Sequence, residues 1–363
     1  MVKILILANN DVGLYKFRKE LIKELVKENE VHISLPNGDF IPKLKELGCK
    51  FIDTPISRRG TNPITDLKLL INYRRIIKNI KPDLVLTYTI KPNVYGGLAC
   101  RMSDVPCIAN ITGLGTAVEN GGILQKVTLF LYKVSLKKAK CVFFQNKENE
   151  EFIIKKKIIN GNHRIIPGSG VNLDYYSLLD YPSDETINFL FIARVMKEKG
   201  IDQYLEAADY IKAKYPNTVF HILGFCEGAY EDKLKEMQAK DIIKYHGMQS
   251  DVRGFHKISS CTIHPTYYPE GMSNVLLESA ASGRPVITTD RAGCREIVDD
   301  EINGYVVEPK NSQDLIEKIE KFLELDHESK KQMGLAGRKK VEKEFDRNLV
   351  VNAYVEEAEK ALR

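Results

Sequence analysis

The stretch His264-Pro-Thr-Tyr-Tyr-Pro-Glu270-Gly-Met-Ser-Asn274-Val-Leu-Leu-Glu278-Ser-Ala-Ala-Ser-Gly283-Arg-Pro-Val-Ile-Thr-Thr-Asp290 decides the fold. The apolar run Cys261-Thr-Ile-His264 before it reads as a short buried strand, and Pro265 and Pro269 keep the following residues out of regular structure. Glu270-Gly271 then falls at a loop tip. Ser273 or Asn274 is placed to cap a helix, Gly283-Arg-Pro285 ends it, and Val286-Ile-Thr-Thr289 is the next strand. The result is a β-loop-α-β unit.

The same alternation runs through the rest of the chain. Strands are expected at residues 3–8, 30–35, 51–54, 83–89, 106–111 and 140–145, the last closing the first half, with helices at 14–28, 66–80 and 95–102. A Pro/Gly break at Ile165-Ile-Pro-Gly-Ser-Gly-Val-Asn172 marks a domain junction. Beyond it, strands are expected at 188–193, 219–224 and 243–246 and helices at 201–215 and across about 314–363. Such alternation predicts an α/β protein built of doubly wound parallel sheets, with a first domain over 1–168 and a second that begins at 169. Ligands of these sheets meet the carboxyl ends of the strands, which places Tyr88-Thr-Ile-Lys91-Pro-Asn93 and Thr112-Gly-Leu-Gly115 at the mouth of a site. The first strand leads through Asn9-Asn-Asp-Val-Gly13, read as a turn, into a helix with Leu14, Phe17, Leu21 and Leu25 on one face. One glycine is not a dinucleotide fingerprint, so a dehydrogenase fits poorly. Gly13 serves either close approach of a ligand or turn geometry alone.

With 363 residues, 43% of them hydrophobic, the chain can bury two cores. It contains no apolar run near the ~18 residues of a membrane span, and its N-terminus enters a strand with no cleavage site, so a cytoplasmic location is expected. The seven cysteines form no Cys-x2-Cys pair and read as reduced core residues. Charge is uneven. Residues 1–170 hold 28 Lys and Arg against 15 Asp and Glu, a balance of +13, and the remainder holds 26 against 34, or −8. No zinc finger, helix-turn-helix or aromatic-basic pattern accompanies the basic half, so an anionic membrane surface is preferred to nucleic acid as its partner. Within one helix expected at 123–140, Lys126, Lys133, Lys137 and Lys140 share a face beside Phe130. That face is either solvated or docks on an anionic leaflet.

The loop and first helical turn of the opening stretch offer free backbone N–H groups and a positive dipole end, which suit a phosphate. Glu270 and Glu278 stand on either side. Carboxylates accept hydrogen bonds from vicinal diols, so the pair suits the ribose and hexose of a nucleotide-sugar, although two acids at this spacing are, taken alone, ordinary surface residues. Arg194 and Lys199 directly follow a buried strand, where two cations clamp a diphosphate. Met248, after the strand-end Gly247, is a candidate wall for the base, no more specific than any residue at a strand end.

Taken together, Glu270-x7-Glu278 within Pro-Glu-Gly-Met-Ser-Asn and the strand-Arg194-x4-Lys199-Gly pattern resemble the donor-site signature of the retaining glycosyltransferases of family four. The resemblance covers essentially the whole chain. It implies the GT-B fold, two Rossmann-like domains facing across a cleft, with the acceptor on the first domain and a last helix, near 349–363, packing back on it, so that the second domain spans 169–348. It implies that Glu278 binds the ribose, that Glu270 binds the transferred sugar and stabilises positive charge at its ring, that Arg194 and Lys199 hold the diphosphate, and that Gly271, Met272, Ser273 and Asn274 present the backbone to the phosphates. The chain has no Asp-Xaa-Asp, so neither metal nor cofactor is expected. Where relatives carry a histidine near the reacting sugar, this chain has Thr112, with Lys91 at the neighbouring tip, and both become candidates. His163, His221, His246 and His264 are expected to be structural. The subgroup resembled builds capsule, exopolysaccharide or lipid-linked oligosaccharide, including transfer of N-acetylgalactosamine to an undecaprenyl-diphosphate sugar. The expected function is therefore transfer of a hexose from a UDP-sugar to a lipid-linked glycan at the inner face of the membrane. A UDP-sugar 2-epimerase and a catalytically silent binding subunit are the alternatives.

Overall fold

A computed structural model describes the chain except residues 58–59, 61, 116–117, 119–120 and 227. It forms two compact units, Met1–Gly170 with Arg347–Arg363, and Val171–Asp346.

The first unit is built on seven parallel strands, β1 (Val2–Leu7), β2 (Asn29–Leu35), β3 (Lys50–Asp53), β4 (Leu84–Tyr88), β5 (Cys107–Ile111), β6 (Cys141–Phe144) and β7 (His163–Ile165), in the order β3-β2-β1-β4-β5-β6-β7. Its central strands β4, β5 and β6 are buried throughout, because both faces are covered. β1 sends Ile4 and Ile6 to one face and Leu5 and Leu7 to the other, and all four are buried. β6 divides Cys141 and Phe143 from Val142 and Phe144 in the same way. Helices α1 (Asp11–Leu25) and α2 (Ile41–Glu46) cover the first face; α3 (Pro63–Ile80), α4 (Gly97–Ser103), α5 (Gly122–Ser135) and α6 (Lys147–Lys155) cover the second.

The second unit carries six parallel strands, β8 (Ile187–Ile192), β9 (Thr218–Leu223), β10 (Ile243–Tyr245), β11 (Cys261–His264), β12 (Val286–Thr289) and β13 (Gly304–Val307), in the order β10-β9-β8-β11-β12-β13. Its helices are α7 (Ile201–Lys214), α8 (Glu231–Ala239), α9 (Arg253–Ile258), α10 (Asn274–Ala281), α11 (Ser312–Glu324) and α12 (His327–Glu344). The chain then returns to the first unit as α13 (Arg347–Leu362). Tyr354 of α13 is 1% exposed and packs between Tyr88 and Phe143, with ring centroids 5.9 and 4.4 Å away. Its hydroxyl accepts a hydrogen bond from Asn110, and Arg347 donates to Glu20 at 2.8 Å and to the Gly170 carbonyl at 3.0 Å. Among the described residues no helix is long and apolar enough to cross a membrane.

Four local expectations are corrected. Helix α1 begins at Asp11, capped by Asn10, whose Oδ1 accepts from the Gly13 amide at 2.6 Å; Gly13 therefore lies in the first helical turn, not in a turn before it. The helix expected at 123–140 stops at Ser135 and tightens into a 3₁₀ turn at Leu136–Lys138, because the Lys140 amide must donate to the Cys107 carbonyl at the entry to β6. Lys126 and Lys133 are thus helical, Lys137 lies in the 3₁₀ turn, and Lys140 lies beyond both; all four are exposed. The first sheet is not closed by β6, since α6 and β7 follow it. Neither Ser273 nor Asn274 caps α10 through its side chain; Ser273 occupies the cap position without such a bond.

Candidate functional site

In the second unit the strand order reverses between β8 and β11, and the crevice at such a switch point is where doubly wound sheets bind ligands. The residues that leave these two strands are Arg194–Lys199 and Pro265–Glu270. Lys199 donates to the Glu270 carboxylate, and its ammonium also lies 4.8 Å from the centroid of the Tyr268 ring. The Arg194 guanidinium approaches the same ring at 5.7 Å. Both cations and one of the two predicted acids are thus gathered around Tyr268, a residue that no motif in the sequence singles out.

Backbone proximity makes this possible. Gly200 has a φ of +76°, and a Cβ there would stand 2.1 Å from the Pro265 carbonyl oxygen. Only glycine lets the loop after β8 press so closely on the exit of β11. The two loops are then laced together, the Tyr267 amide donating to the Glu198 carbonyl at 2.9 Å and the Thr266 hydroxyl to the same oxygen at 3.3 Å. From β12, Thr288 and Thr289 donate to the carbonyls of His264 and Thr266 at 2.8 and 2.5 Å. On the far side, Gly293 takes a φ of +85° against Gly271, and a Cβ would stand 2.8 Å from the Gly271 oxygen. Its carbonyl accepts the Ser273 amide at 2.7 Å, so that amide is already engaged and does not await a phosphate. The Gly293 amide in turn donates to Glu296 at 2.7 Å. A glycine four residues beyond a strand, with an acid three residues on, is the signal in the sequence that marks this brace.

Glu278 lies in α10, where its carboxylate meets the Tyr176 hydroxyl; burial and that carboxylate together push the phenol well above its usual range. Met272 is buried and Asn274 half-buried at the start of the helix. Met248 follows β10 on a Gly247 with φ of +65° and is 73% exposed. In the first unit, Thr112 is half-buried just beyond β5. Lys91 donates to Asp66 at 2.6 Å in a pair that also takes a hydrogen bond from Tyr95. The β4 tip before it is unusual: Thr89 holds a φ of +73°, and a π-helical turn, Pro92–Gly96, follows. No group of three or more potential metal ligands occurs among the described residues.

The histidines behind the site are neutral. Burial, then the Lys199 charge, pushes His264 down to about 3; burial and Arg284 do the same for His256, to about 3; burial and His246 bring His221 to about 4. The unfolded chain takes up protons on these rings near pH 6.5, and the folded one only near pH 3 to 4. The unfolded state thus binds more protons between those values, and stability falls as pH drops below about 6.5. Each ring contributes a slope of about 1.4 kcal/mol per pH unit over its window. Thermal unfolding at pH 7 and pH 5 is expected to show this loss, and His264→Asn to flatten it; equal slopes in both proteins would contradict the assignment.

Comparison with known proteins agrees with this architecture. Residues 3–146 match the family model for glycosyl transferase 4-like proteins, and residues 181–340 that for glycosyl transferases group 1. A Campylobacter jejuni N,N'-diacetylbacillosaminyl-diphospho-undecaprenol alpha-1,3-N-acetylgalactosaminyltransferase is 27% identical over 98% of this chain and 97% of its own. An Escherichia coli UDP-Gal:alpha-D-GlcNAc-diphosphoundecaprenol alpha-1,3-galactosyltransferase is 26% identical over 70% of each. The structure of Anabaena Alr3699/HepE in complex with UDP and glucose superimposes with a TM-score of 0.78 and 17% identity, over 99% of this chain and 100% of that one. With one family model on each half and the GT-B fold in common, the chain belongs to the glycosyltransferases of the 4-like and group 1 type.

Proposed function

We propose that this glycosyltransferase is a retaining, metal-independent enzyme that moves a hexose or N-acetylhexosamine from a UDP-sugar to a polyprenyl-diphosphate-linked glycan, at the inner face of the plasma membrane. The observation that carries the reading is the meeting of Lys199 with Glu270, and of Lys199 and Arg194 with Tyr268, at the switch point of the second unit. The acceptor class is supported by the relatives in Campylobacter jejuni and Escherichia coli, both named for diphospho-undecaprenol acceptors, the second also for a UDP-sugar donor. The basic charge of residues 1–170 suits such an acceptor and an anionic leaflet, and Lys126, Lys133, Lys137 and Lys140 are the first candidates to meet it.

On donor binding the diphosphate replaces Glu270 as the partner of Lys199. Arg194 joins it, and the two cations stabilise the charge that builds on UDP as the glycosidic bond breaks, work that a divalent ion performs elsewhere. Glu270, released, accepts hydrogen bonds from hydroxyls of the transferred sugar and opposes positive charge at its ring, while Glu278 holds the ribose. The acceptor oxygen forms its bond to the anomeric carbon on the face that the UDP oxygen leaves, and its proton passes to that departing phosphate oxygen. Configuration is retained.

Calorimetry with UDP, GDP and ADP forms of the donor, in chelator, tests the reading. Wild type is expected to select UDP, and Lys199→Ala to bind it about tenfold to a hundredfold more weakly, as loss of a charge-assisted bond implies. Equal affinities in the two proteins would rule out the diphosphate clamp, and binding that required a divalent ion would rule out metal independence.

A further inference from the structure

Helices α3, α4 and α5 lie side by side on one face of the first unit's sheet. Helices α3 and α4, with residues 122–140 that include α5 and the 3₁₀ turn beyond it, hold ten Lys and Arg against Asp66, while Asp104 at the end of α4 pairs with Lys138 at 3.3 Å. Asp66 is turned inward to Lys91 and Tyr95, so most of the +13 of residues 1–170 sits on this one layer. Large apolar side chains face water among these cations. On α3, Ile64, Leu67 and Ile71 are 66%, 56% and 51% exposed. Steps of three and four residues set them in one line, away from Leu69, Tyr73 and Ile76, which fill the core. On α5, Ile123 and Phe130 are 82% and 65% exposed, beside Lys126 and Lys133.

The line on α3 continues past Ile71 into Arg74, Arg75 and Lys78. Those four residues, with Lys81, line a groove of about 630 Å³ at the C-terminal end of the helix. Among the described residues none of these cations has an ion-pair partner. Cations commonly gather at a helix C-terminus to complement its dipole. That does not account for Lys68 and Lys126, early in their helices, or for the apolar line.

We propose that this layer docks on an anionic phospholipid bilayer, the Ile64-Leu67-Ile71 line of α3 entering the acyl boundary and the groove taking lipid phosphate groups. The inference rests on the peripheral-membrane reading above and adds a second helix, and a headgroup site, to the lysines of α5. A protein partner would have to bring carboxylates and apolar pockets in register with two helices. A bilayer offers phosphates over an apolar interior everywhere.

Flotation of the full chain with vesicles of phosphatidylcholine alone, and of phosphatidylcholine with phosphatidylglycerol, tests it. Wild type is expected on the anionic vesicles only. Ile64→Ser/Leu67→Ser/Ile71→Ser and Arg74→Ala/Arg75→Ala are each expected to weaken that binding by about tenfold, with melting temperature and UDP affinity unchanged. If both α3 variants float like wild type while Lys126→Glu/Lys133→Glu does not, the inference falls and the peripheral reading stands. If wild type ignores all vesicles, both fall. Self-association abolished by the α3 substitutions, without vesicle binding, would assign the face to a second copy of the chain and also overturn the proposal.

Discussion

Glutamine in place of Glu270 is expected to lower turnover by about a hundredfold or more, the usual cost of losing a group that stabilises transition-state charge. UDP affinity is expected to change little. The substitution keeps the shape of the side chain and removes its charge, so Lys199 loses an ionic partner in the empty site but remains free to meet a diphosphate. The effect should therefore fall on kcat and not on donor binding, and steady-state kinetics beside UDP calorimetry separates the two. A kcat within about threefold of wild type would leave Glu270 as nothing more than a resting partner for Lys199.

The second large effect is expected in the backbone beside Arg194. Gly224 has a φ of +142°, and a Cβ on it would stand 1.8 Å from the Ala193 carbonyl oxygen, in backbone that cannot swing aside. Its own amide donates to the Gly247 carbonyl at 2.8 Å, so it joins the ends of three adjacent strands, β8, β9 and β10. Gly224→Ala combines a forbidden backbone region with a main-chain clash and is expected to cost about 3 kcal/mol or more, lowering the melting temperature by about 10 °C. Because Ala193 immediately precedes Arg194, donor affinity should fall as well. A melting temperature within about 2 °C of wild type would mean that the strand ends yield, and that the close approach is not required.

What was legible in the sequence follows from what each segment buries. Strands in the middle of the sheets, such as β1, β4, β8 and β11, are apolar on both faces and announce themselves. The edge strands β7 and β13 do not: His163 and Ile165 are exposed, and Gly304-Tyr-Val-Val is too short and too close to a turn to stand out. Lysine spacing overstates the length of α5, because it continues through a 3₁₀ turn that periodicity alone does not register. On α3 the difficulty was the opposite. Both of its faces carry apolar residues, so the sequence pattern placed a helix without revealing that one line looks outward.

At the candidate site, the sequence names residues and not their company. Arg194, Lys199, Glu270 and Glu278 were each placed by their position after a strand or within a helix. The Lys199–Glu270 contact joins residues 71 apart and depends on Gly200 meeting Pro265, which no local pattern encodes. Lys91 shows the converse: its place at a strand tip suggested chemistry, yet Asp66, on a helix that precedes it by a whole strand, holds it.

The return of α13 to the first unit has a consequence for the order in which the protein is made. As the chain emerges from the ribosome, residues 171–346 are complete before the helix that holds Tyr354 between Tyr88 and Phe143 has been synthesised. Domains generally fold in order of synthesis, the N-terminal one first. Here the earlier-made sheet must wait, with an apolar groove open along β4, β5 and β6, until the later-made unit has been produced. The first unit is therefore completed after the second, although its sheet is made before it.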